Sequence, residues 1–273
     1  MAGALITLLV DPQRFASGDG DERAEPAKAS AGGASGPLQA PLPILPLLIV
    51  EGDAYRHLFR ARRVGAGERL RVVDGEGQAR WGEVIRVGRS AAMVELAEPA
   101  PPNEPRLHLE LLVATLRPER ASWLVEKATE IGASAVRFLN TERGPRSFGA
   151  GTAERLRRVA AAAVEQCHRA RCPQVTGPHP FAEVAALAAG ATRRWLLDPA
   201  GPVQGFGSLS PGQAPSEAPS ESLLVGPEGG WSPAEIESLE TGGWRRVFLG
   251  PRVLRIETAV LAGAALLLLR SEL

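Results

Sequence analysis

The sequence contains very little cysteine and very little lysine. Only Cys167 and Cys172 are present among 273 residues, which is too few for a disulfide framework or a cysteine-based metal cluster. We therefore expect two reduced thiols in a cytoplasmic protein, and no bound metal. The only lysines are Lys28 and Lys127, and the remaining Lys/Arg positions are all arginine. A single arginine therefore carries little weight by itself in this sequence.

The sequence also lacks an excess of charge of either sign and a long apolar run. Lys plus Arg and Asp plus Glu number 31 each, so the formal net charge is zero and a generally basic surface is excluded. An RNA partner would have to bind a local basic patch. The longest apolar run, residues 259–269, is too short to span a bilayer, and no basic segment precedes the apolar N-terminal stretch. Neither a membrane span nor a signal peptide is predicted.

The first third of the chain, residues 1–98, has the pattern of a small, barrel-like β domain. Strands are predicted at residues 6–10, from 45 onwards, and at 68–73, 79–87 and 91–96. Residues 16–43 are rich in Gly, Ala, Ser and Pro, a composition that predicts a disordered insertion. Four prolines in residues 98–105 predict a linker.

Residues 106–273 alternate strand-like and helix-like segments, which predicts an α/β fold with a mostly parallel sheet and helices on both faces. Strands are predicted at residues 107–116, 135–139, 194–197, 222–225 and 246–249. Helices are predicted at residues 119–131, 152–171, 233–240 and 257–270, with Gly132 and Pro173 ending the first two. Residues 201–220 are predicted to form a low-complexity loop within this domain.

Two glycine-containing loops follow predicted strands in this second domain. Ligands of open α/β sheets bind beyond the carboxyl ends of the strands, so these loops are candidate binding sites. The first, residues 225–230, is followed by Ser232 and Pro233, which suit the start of a helix. The second, residues 249–258, brings Arg252 and Arg255 to the same region. Both loops could also be simple tight turns, and neither has the pattern of a P-loop or of a dinucleotide-binding motif.

Five ordered motifs resemble those of the RsmE-type ribosomal RNA uridine-N3 methyltransferases of the SPOUT superfamily. They are RHLFRARR at residues 56–63, VEKATEIGASAVRFLNTERG at 125–144, VEQCHRARCP at 164–173, LLVGPEGG at 223–230 and LGPRVLRIETA at 249–259. The resemblance extends from about Ile44 to the end of the chain. It does not include the two low-complexity segments, and the family's lysine before the helix at 119–131 is absent, with Arg117 or Arg120 as the candidate substitutes.

The resemblance implies a PUA-like β-barrel followed by a SPOUT domain with a C-terminal trefoil knot. It also implies a homodimer whose cofactor, S-adenosylmethionine, binds in the knot near the subunit interface. The expected cofactor-binding residues are Leu197, Val225, Gly226, Pro227, Glu228, Gly229, Gly230, Leu249, Gly250, Val253, Leu254, Arg255, Thr258 and Ala259.

The expected reaction is methylation of N3 of a specific uridine in 16S ribosomal RNA. Removal of the N3 proton leaves negative charge on the base, which a nearby guanidinium could stabilise. Arg255 and then Arg252 are the predicted catalytic residues, although a salt bridge of Arg255 with Glu228 or Glu257 is an equally open interpretation. Glu228 could act as a base or anchor its loop. The cofactor's sulfonium supplies the methyl group, so no metal is required.

The predicted RNA contacts fall in both domains. The densest basic cluster lies at residues 56–63, where phosphate contacts are expected in a PUA-like domain. The candidate RNA-binding residues are Arg56, His57, Arg60, Arg63, Arg143, Gln166 and Arg169. Each could instead belong to a solvated surface. Two other functions remain open: a SPOUT methyltransferase acting on another base or on transfer RNA, and a non-enzymatic RNA-binding relative.

Overall fold

The computed structural model describes residues 5–17, 46–144, 148–149, 151–201 and 219–272. The chain divides into two compact units, Met1–Pro101 and Pro102–Leu273. Most of the predicted insertion at 16–43 and of the predicted loop at 201–220 lies outside the described residues. No helix in the described ranges is long and apolar enough to cross a membrane.

Unit 1, Met1–Pro101, is built around one five-stranded sheet. Its strands are β1 (Thr7–Leu9), β2 (Leu47–Glu51), β3 (Arg69–Val73), β4 (Ala79–Val87) and β5 (Ala91–Pro99). Its helices are α1 (Pro12–Ser17) and α2 (Gly52–Tyr55), and α2 continues into a π-helical turn, Arg56–Ala61. The strand order is β1-β3-β4-β5-β2, and only the β1–β3 pair is parallel. The predicted strands are present, whereas neither helix was predicted.

The β3–β4 connection is stabilised by one carboxylate. Asp74 Oδ1 accepts hydrogen bonds from the backbone N–H groups of Glu76, Gly77 and Gln78, at 2.8 to 3.0 Å. An aspartate that bonds the backbone just after it is typical of a tight turn. The core beneath the sheet is formed by inward-facing residues of every strand together with Tyr55, Leu58 and Phe59 of the helical segment.

Unit 2, Pro102–Leu273, is a six-stranded, fully parallel sheet, which confirms the predicted α/β class. Its strands are β6 (His108–Ala114), β7 (Ala135–Asn140), β8 (Gln174–Pro180), β9 (Arg193–Leu197), β10 (Ser220–Val225) and β11 (Arg245–Val247). Its helices are α3 (Pro118–Ile131), α4 (Thr152–Cys167), α5 (Val184–Leu187), α6 (Pro233–Thr241) and α7 (Ile256–Glu272). The strand order is β11-β9-β10-β6-β7-β8.

Alternate residues of the strands enter two different cores, one on each face of the sheet. Leu111 and Leu223 pack with α3, α4 and α7, whereas Leu112 and Leu224 pack with α5 and α6. Successive side chains of a strand point to opposite faces, so a strand covered on both sides is apolar at nearly every position. The prediction of helices on both faces is therefore confirmed.

One prediction about the end of α4 was wrong, and the strand that follows was not predicted. The helix ends at Cys167 rather than at 171, because His168 adopts a left-handed conformation with φ of 61° and the chain then turns Arg169 into the interior. Strand β8 was not predicted because Gly177, Pro178 and Pro180 resemble a loop. As an edge strand, β8 tolerates prolines that a central strand would exclude.

The end of α3 was predicted correctly from its glycine. Gly132 has φ of 108°, a left-handed conformation that favours glycine, and a Cβ at this position would also clash with the ring of Pro105. Helix α7 is apolar on nearly all sides, as predicted for a buried helix. It packs against α3, β6 and β10, while Leu266 and Leu269 remain 49% and 60% exposed.

Candidate active site

The carboxyl ends of β9, β10 and β11 meet at one edge of the sheet in unit 2. Leu197, the last residue of β9, lies opposite Val225 of β10 and Val247 of β11. Strands β7 and β8 extend the sheet on one side of β6, whereas β10, β9 and β11 extend it on the other. Ligands of open parallel sheets bind in the crevice at such a reversal.

A cleft of about 1070 Å³ opens at this edge. Both predicted loops border it, together with the chain after β9 and the first turn of α7. The predicted cofactor residues in its lining are Leu197, Val225, Gly226, Pro227, Glu228, Gly230, Leu249, Gly250, Val253, Leu254, Arg255 and Ala259. Two others, Gly229 and Thr258, do not line it. Gly229 packs beside Arg143, and Thr258 is exposed on α7.

The first loop, residues 225–230, is shaped by Trp231, which directly follows it. A Cβ on Gly226 would lie 2.6 Å from the indole, so this glycine is required by packing against the indole as well as by any ligand. Ser232 then begins α6 with a capping box: its hydroxyl accepts from the Glu235 N–H, and Glu235 Oε2 accepts from the Ser232 N–H. Glu235 Oε1 accepts from the N–H of Glu142, which joins this loop to the segment after β7.

The second loop, residues 249–258, contains a left-handed glycine and two exposed arginines. Gly250 has φ of 106°, which disfavours any residue with a side chain. A Cβ at Gly250 would lie 3.0 Å from the guanidinium of Arg252. Val253 is 93% exposed although it borders the cleft. An apolar side chain so exposed beside a cleft is available to contact a ligand.

Arg252 and Arg255 both line the cleft, and both are exposed. Within the described part of the chain, neither guanidinium forms an ion pair or a side-chain hydrogen bond. The alternative interpretation of Arg255, a salt bridge with Glu228 or Glu257, is therefore not what the structure contains. Their charges face a concave, largely apolar surface and remain available to an anionic group.

Glu228 and Glu257 share a different cation, Arg120 of α3. Arg120 Nη1 donates to Glu228 Oε1 at 2.7 Å, and Arg120 Nε lies 3.8 Å from Glu257 Oε1. Sequence reasoning gave Arg117 and Arg120 only as candidate replacements for a lysine. The contact of Arg120 with Glu228 was not predicted, because the two residues are 108 positions apart in the sequence.

A second ion-pair cluster, which was not predicted from the sequence, stabilises the part of the cleft formed by the chain after β9. Arg246 contacts Asp198 at 2.7 Å and Glu240 at 3.2 Å, and donates to the carbonyl of Ala200. Burial lowers the pKa of Arg246, but hydrogen bonds and charge from Asp198 and Glu240 outweigh it and raise that pKa above its ordinary value. Asp198 Oδ1 also accepts from the Ala200 N–H. This cluster holds the chain leaving β9 against α6 and β11.

The three RNA contacts predicted in unit 2 have different environments. Arg143 lines the cleft, and its Nη1 lies 3.4 Å from the Gly229 carbonyl oxygen. Gln166 is exposed on α4. Arg169 is only 3% exposed: it pairs with Glu104 at 2.7 Å and donates to the carbonyls of Thr129 and Ala133. Arg169 thus stabilises the fold from inside, and its burial is incompatible with the predicted contact to RNA.

The basic cluster of unit 1 begins on the π-helical turn and extends just beyond it to Arg63, and it is exposed at Arg56, His57, Arg60 and Arg63. Arg60 donates to the carbonyl of Arg89 at 2.6 Å, and Arg56 pairs with Asp53. Arg63 has a left-handed conformation, with φ of 57°. Positive φ is uncommon for a residue other than glycine and often marks a functional segment.

The two cysteines are partly buried, and burial raises the pKa of each thiol above its ordinary value. A raised pKa disfavours the reactive thiolate. Among the residues that the structure describes, no group of three or more His, Cys, Asp or Glu side chains could hold a metal ion.

The sequence matches two family models. Residues 102–268 match an RNA methyltransferase domain, and residues 50–96 match an RNA methyltransferase PUA domain. These matches fall in unit 2 and unit 1, respectively.

Relatives match most of the chain. Ribosomal RNA small subunit methyltransferase E of Mycobacterium bovis is 33% identical over 222 residues, covering 77% of this chain and 82% of that protein. The protein of the same name from Synechocystis is 30% identical over 224 residues, covering 81% and 72%. A structure from Legionella pneumophila, described as a methyltransferase in complex with bound cofactor SAM, is 27% identical, has a TM-score of 0.70, and covers 82% of this chain and 91% of that one. The chain therefore combines a PUA-like domain with an α/β RNA methyltransferase domain, and it belongs to the ribosomal RNA small subunit methyltransferase E family.

Proposed function

We propose that this protein transfers the methyl group of S-adenosylmethionine to N3 of a specific uridine in 16S ribosomal RNA, in the cytoplasm. The family assignment supports the reaction class, and the relative solved with SAM supports the cofactor. The observation that carries the proposal is the cleft itself. It brings both predicted loops together and leaves Arg252 and Arg255 facing it without an ion pair among the described residues.

The cleft suits a nucleoside cofactor in size and chemistry. Small-molecule sites are concave and mostly apolar, with a few polar groups that fix orientation. Leu197, Val225 and Ala259 supply apolar surface, and the backbones of the two loops supply polar groups. Gly250 allows the left-handed turn that keeps the second loop at the edge of the cleft. When bound, the cofactor supplies an activated methyl group.

The substrate base has to be unpaired before its N3 can react. N3 of uridine carries a proton that normally takes part in base pairing, so the base must be single-stranded or flipped out. Loss of this proton leaves negative charge spread over N3, O2 and O4. The guanidinium groups of Arg255 and Arg252 stabilise that charge from the second loop. Glu228 contacts the base from the first loop.

Unit 1 supplies affinity for RNA. The exposed turn with Arg56, His57, Arg60 and Arg63 binds phosphates, which position RNA without reading its sequence. Arg143 at the cleft and Gln166 on α4 extend the contact within unit 2. We assign residues 1–98 to the RNA-binding domain and 106–273 to a SPOUT methyltransferase domain.

A trefoil knot and a homodimer complete the proposal. Support for the knot comes from α7, which follows the second loop and packs onto β6 and β10 in the middle of the sheet. Support for a dimer comes from exposed apolar side chains on two helices in contact, Trp123 of α3 with Leu266 and Leu269 of α7. Exposed apolar patches on a soluble protein often mark a protein–protein interface.

The test is methyl transfer with the purified protein. Labelled S-adenosylmethionine is incubated with unmodified 16S RNA, free or assembled in the small subunit, and with transfer RNA, and the methylated nucleotide is mapped. We expect one N3-methyluridine in 16S RNA. Methylation of another base or of transfer RNA would favour the alternative substrate. Binding of RNA with no measurable binding of S-adenosylmethionine would favour a non-enzymatic relative.

A further inference from the structure

One cation of unit 2 contacts two carboxylates at the edge of the cleft. Arg120 in the first turn of α3 donates to Glu228 of the first loop at 2.7 Å and lies 3.8 Å from Glu257 in the first turn of α7. These three elements are far apart in sequence. The side chains of Glu228 and Arg120 are 67% and 34% exposed, whereas that of Glu257 is 10% exposed.

The buried end of this chain of charges is Glu257. Its Oε2 atom is buried and receives no hydrogen bond among the described residues, and Arg120 lies near its other oxygen. The start of α7 contributes some favourable potential to a carboxylate there. A buried charge is costly unless it is paired, so Glu257 strongly favours a conformation that keeps the Arg120 guanidinium beside it.

The exposed end is Glu228, which lines the cleft. Exposed ion pairs contribute little to stability, so the Arg120–Glu228 contact adds little to the fold. Its effect is geometric, because the first loop turns around Gly226 and Gly230 and a carboxylate on it would otherwise sample many positions. Arg120, itself fixed by Glu257, restricts the Glu228 side chain to the cleft edge.

We propose that Arg120 is a positioning residue for methyl transfer: Glu257 fixes its guanidinium, and the guanidinium holds the Glu228 carboxylate where it meets the N3–H of the uridine. This inference rests on the proposed function. In the reaction the N3 proton leaves the base toward Glu228, the N3 electron pair forms a bond to the methyl carbon, and the methyl–sulfur bond breaks with its electrons remaining on sulfur. Arg120 acts only through Glu228.

The test is a mutant cycle read by the single-turnover rate at saturating RNA and cofactor. The variants are Glu228→Gln, the pair Arg120→Gln with Glu257→Gln, and all three together. Changing Arg120 and Glu257 together avoids leaving a buried carboxylate without a cation, so we expect this double variant to fold. Thermal unfolding of the double variant checks that it does. Lys127→Gln is the matched control, since Lys127 also bridges two carboxylates of α3, Glu126 and Glu130, at 2.7 Å each.

We expect the pair and Glu228→Gln each to slow the rate about tenfold, and the triple variant to be no slower than Glu228→Gln. Cofactor affinity should stay within about twofold of wild type, and Lys127→Gln should be unaffected. A wild-type rate in the pair, or a triple variant about a hundredfold slower, would overturn the inference, because Arg120 would then act independently of Glu228. Failure of the wild type to methylate any uridine would instead overturn the proposed function itself.

Discussion

The two arginine-rich regions of this protein differ in what surrounds the charge. In unit 1 the arginines lie on an exposed helical turn, where water screens them. In unit 2, Arg252 and Arg255 are also exposed, but they border a largely apolar cleft, where a bound group would exclude water and strengthen electrostatic interactions. Guanidinium groups on an open surface suit phosphate binding, and those beside an apolar cleft suit stabilisation of a developing charge. This difference is the basis of our proposal that unit 1 supplies affinity for RNA and unit 2 the chemistry.

The largest expected effect comes from removing the charge beside the cleft. Arg255→Ala should lower the single-turnover rate about a hundredfold, because a positioned positive group at a developing anion contributes about this much. Affinity for RNA should change little. Arg158→Ala, which removes an exposed arginine from α4, is the control. An Arg255→Ala variant that reacts at the wild-type rate but binds RNA poorly would remove the distinction between the units.

The next largest effect concerns the second loop, which we propose binds the cofactor. Gly250→Val should weaken S-adenosylmethionine binding at least about tenfold, because φ of 106° is strained for a residue with a side chain and the loop must rearrange. Gly243→Val carries a similar strain at φ of 79° but lies outside the cleft lining. Calorimetry that gives both variants the same affinity would show that the second loop does not bind the cofactor.

A smaller effect is expected from the exposed turn of unit 1. Changing Arg60 and Arg63 together to Ala should weaken RNA binding roughly fivefold and lower its salt dependence. With fewer phosphate contacts, binding of RNA releases fewer counterions. Affinity for the cofactor should not change. Arg69→Ala, which removes an exposed arginine paired with Glu98, serves as the control. An unchanged salt dependence in the double variant would place RNA binding elsewhere.

The smallest effect separates charges of the scaffold from those of the site. Burial raises the pKa of Glu110 on β6, but hydrogen bonds from His108 and Arg137 outweigh it and lower that pKa below its ordinary value. A carboxyl with a lower pKa in the folded state stabilises the fold above its unfolded pKa, and the contribution is lost as pH falls through the folded pKa. Glu110→Gln should therefore lower the free energy of unfolding at pH 7, and its difference from the wild type should shrink as the pH falls below the ordinary carboxyl pKa. Denaturant titrations that show an equal loss at pH 7 and below the ordinary carboxyl pKa would contradict this.

Local patterns in the sequence predicted the frame of the fold more completely than they predicted the contacts of the site. Alternating strands and helices gave the parallel sheet, and Gly132 gave the end of α3. The end of α4 depends on the ion pair of Arg169 with Glu104, 65 residues away, which no local pattern reveals. Strand β8 was hidden by prolines that only an edge position tolerates.

The same limit applies to the candidate site. Both loops could be identified because their glycines and arginines are contiguous in sequence. Arg246 was not identified, and Arg120 was named only as one of two candidate substitutes for a lysine, because their contacts with Asp198 and Glu228 arise across the fold. Gly226 was predicted from an expected contact with the cofactor, whereas the structure shows that packing against the indole of Trp231 requires a glycine there. Long-range pairing of charges is what the sequence alone could not supply.

The division of labour between the two units is tested most directly by the single-turnover rate measured over a range of RNA concentrations. The wild type, the Arg60→Ala/Arg63→Ala variant and Arg255→Ala are compared at saturating cofactor. We predict that the unit 1 variant needs more RNA but reaches the wild-type rate at saturation, whereas Arg255→Ala stays about a hundredfold slower at every concentration. A unit 1 variant that stays slow at saturation, beside an Arg255→Ala variant that reaches the wild-type rate, would contradict the account.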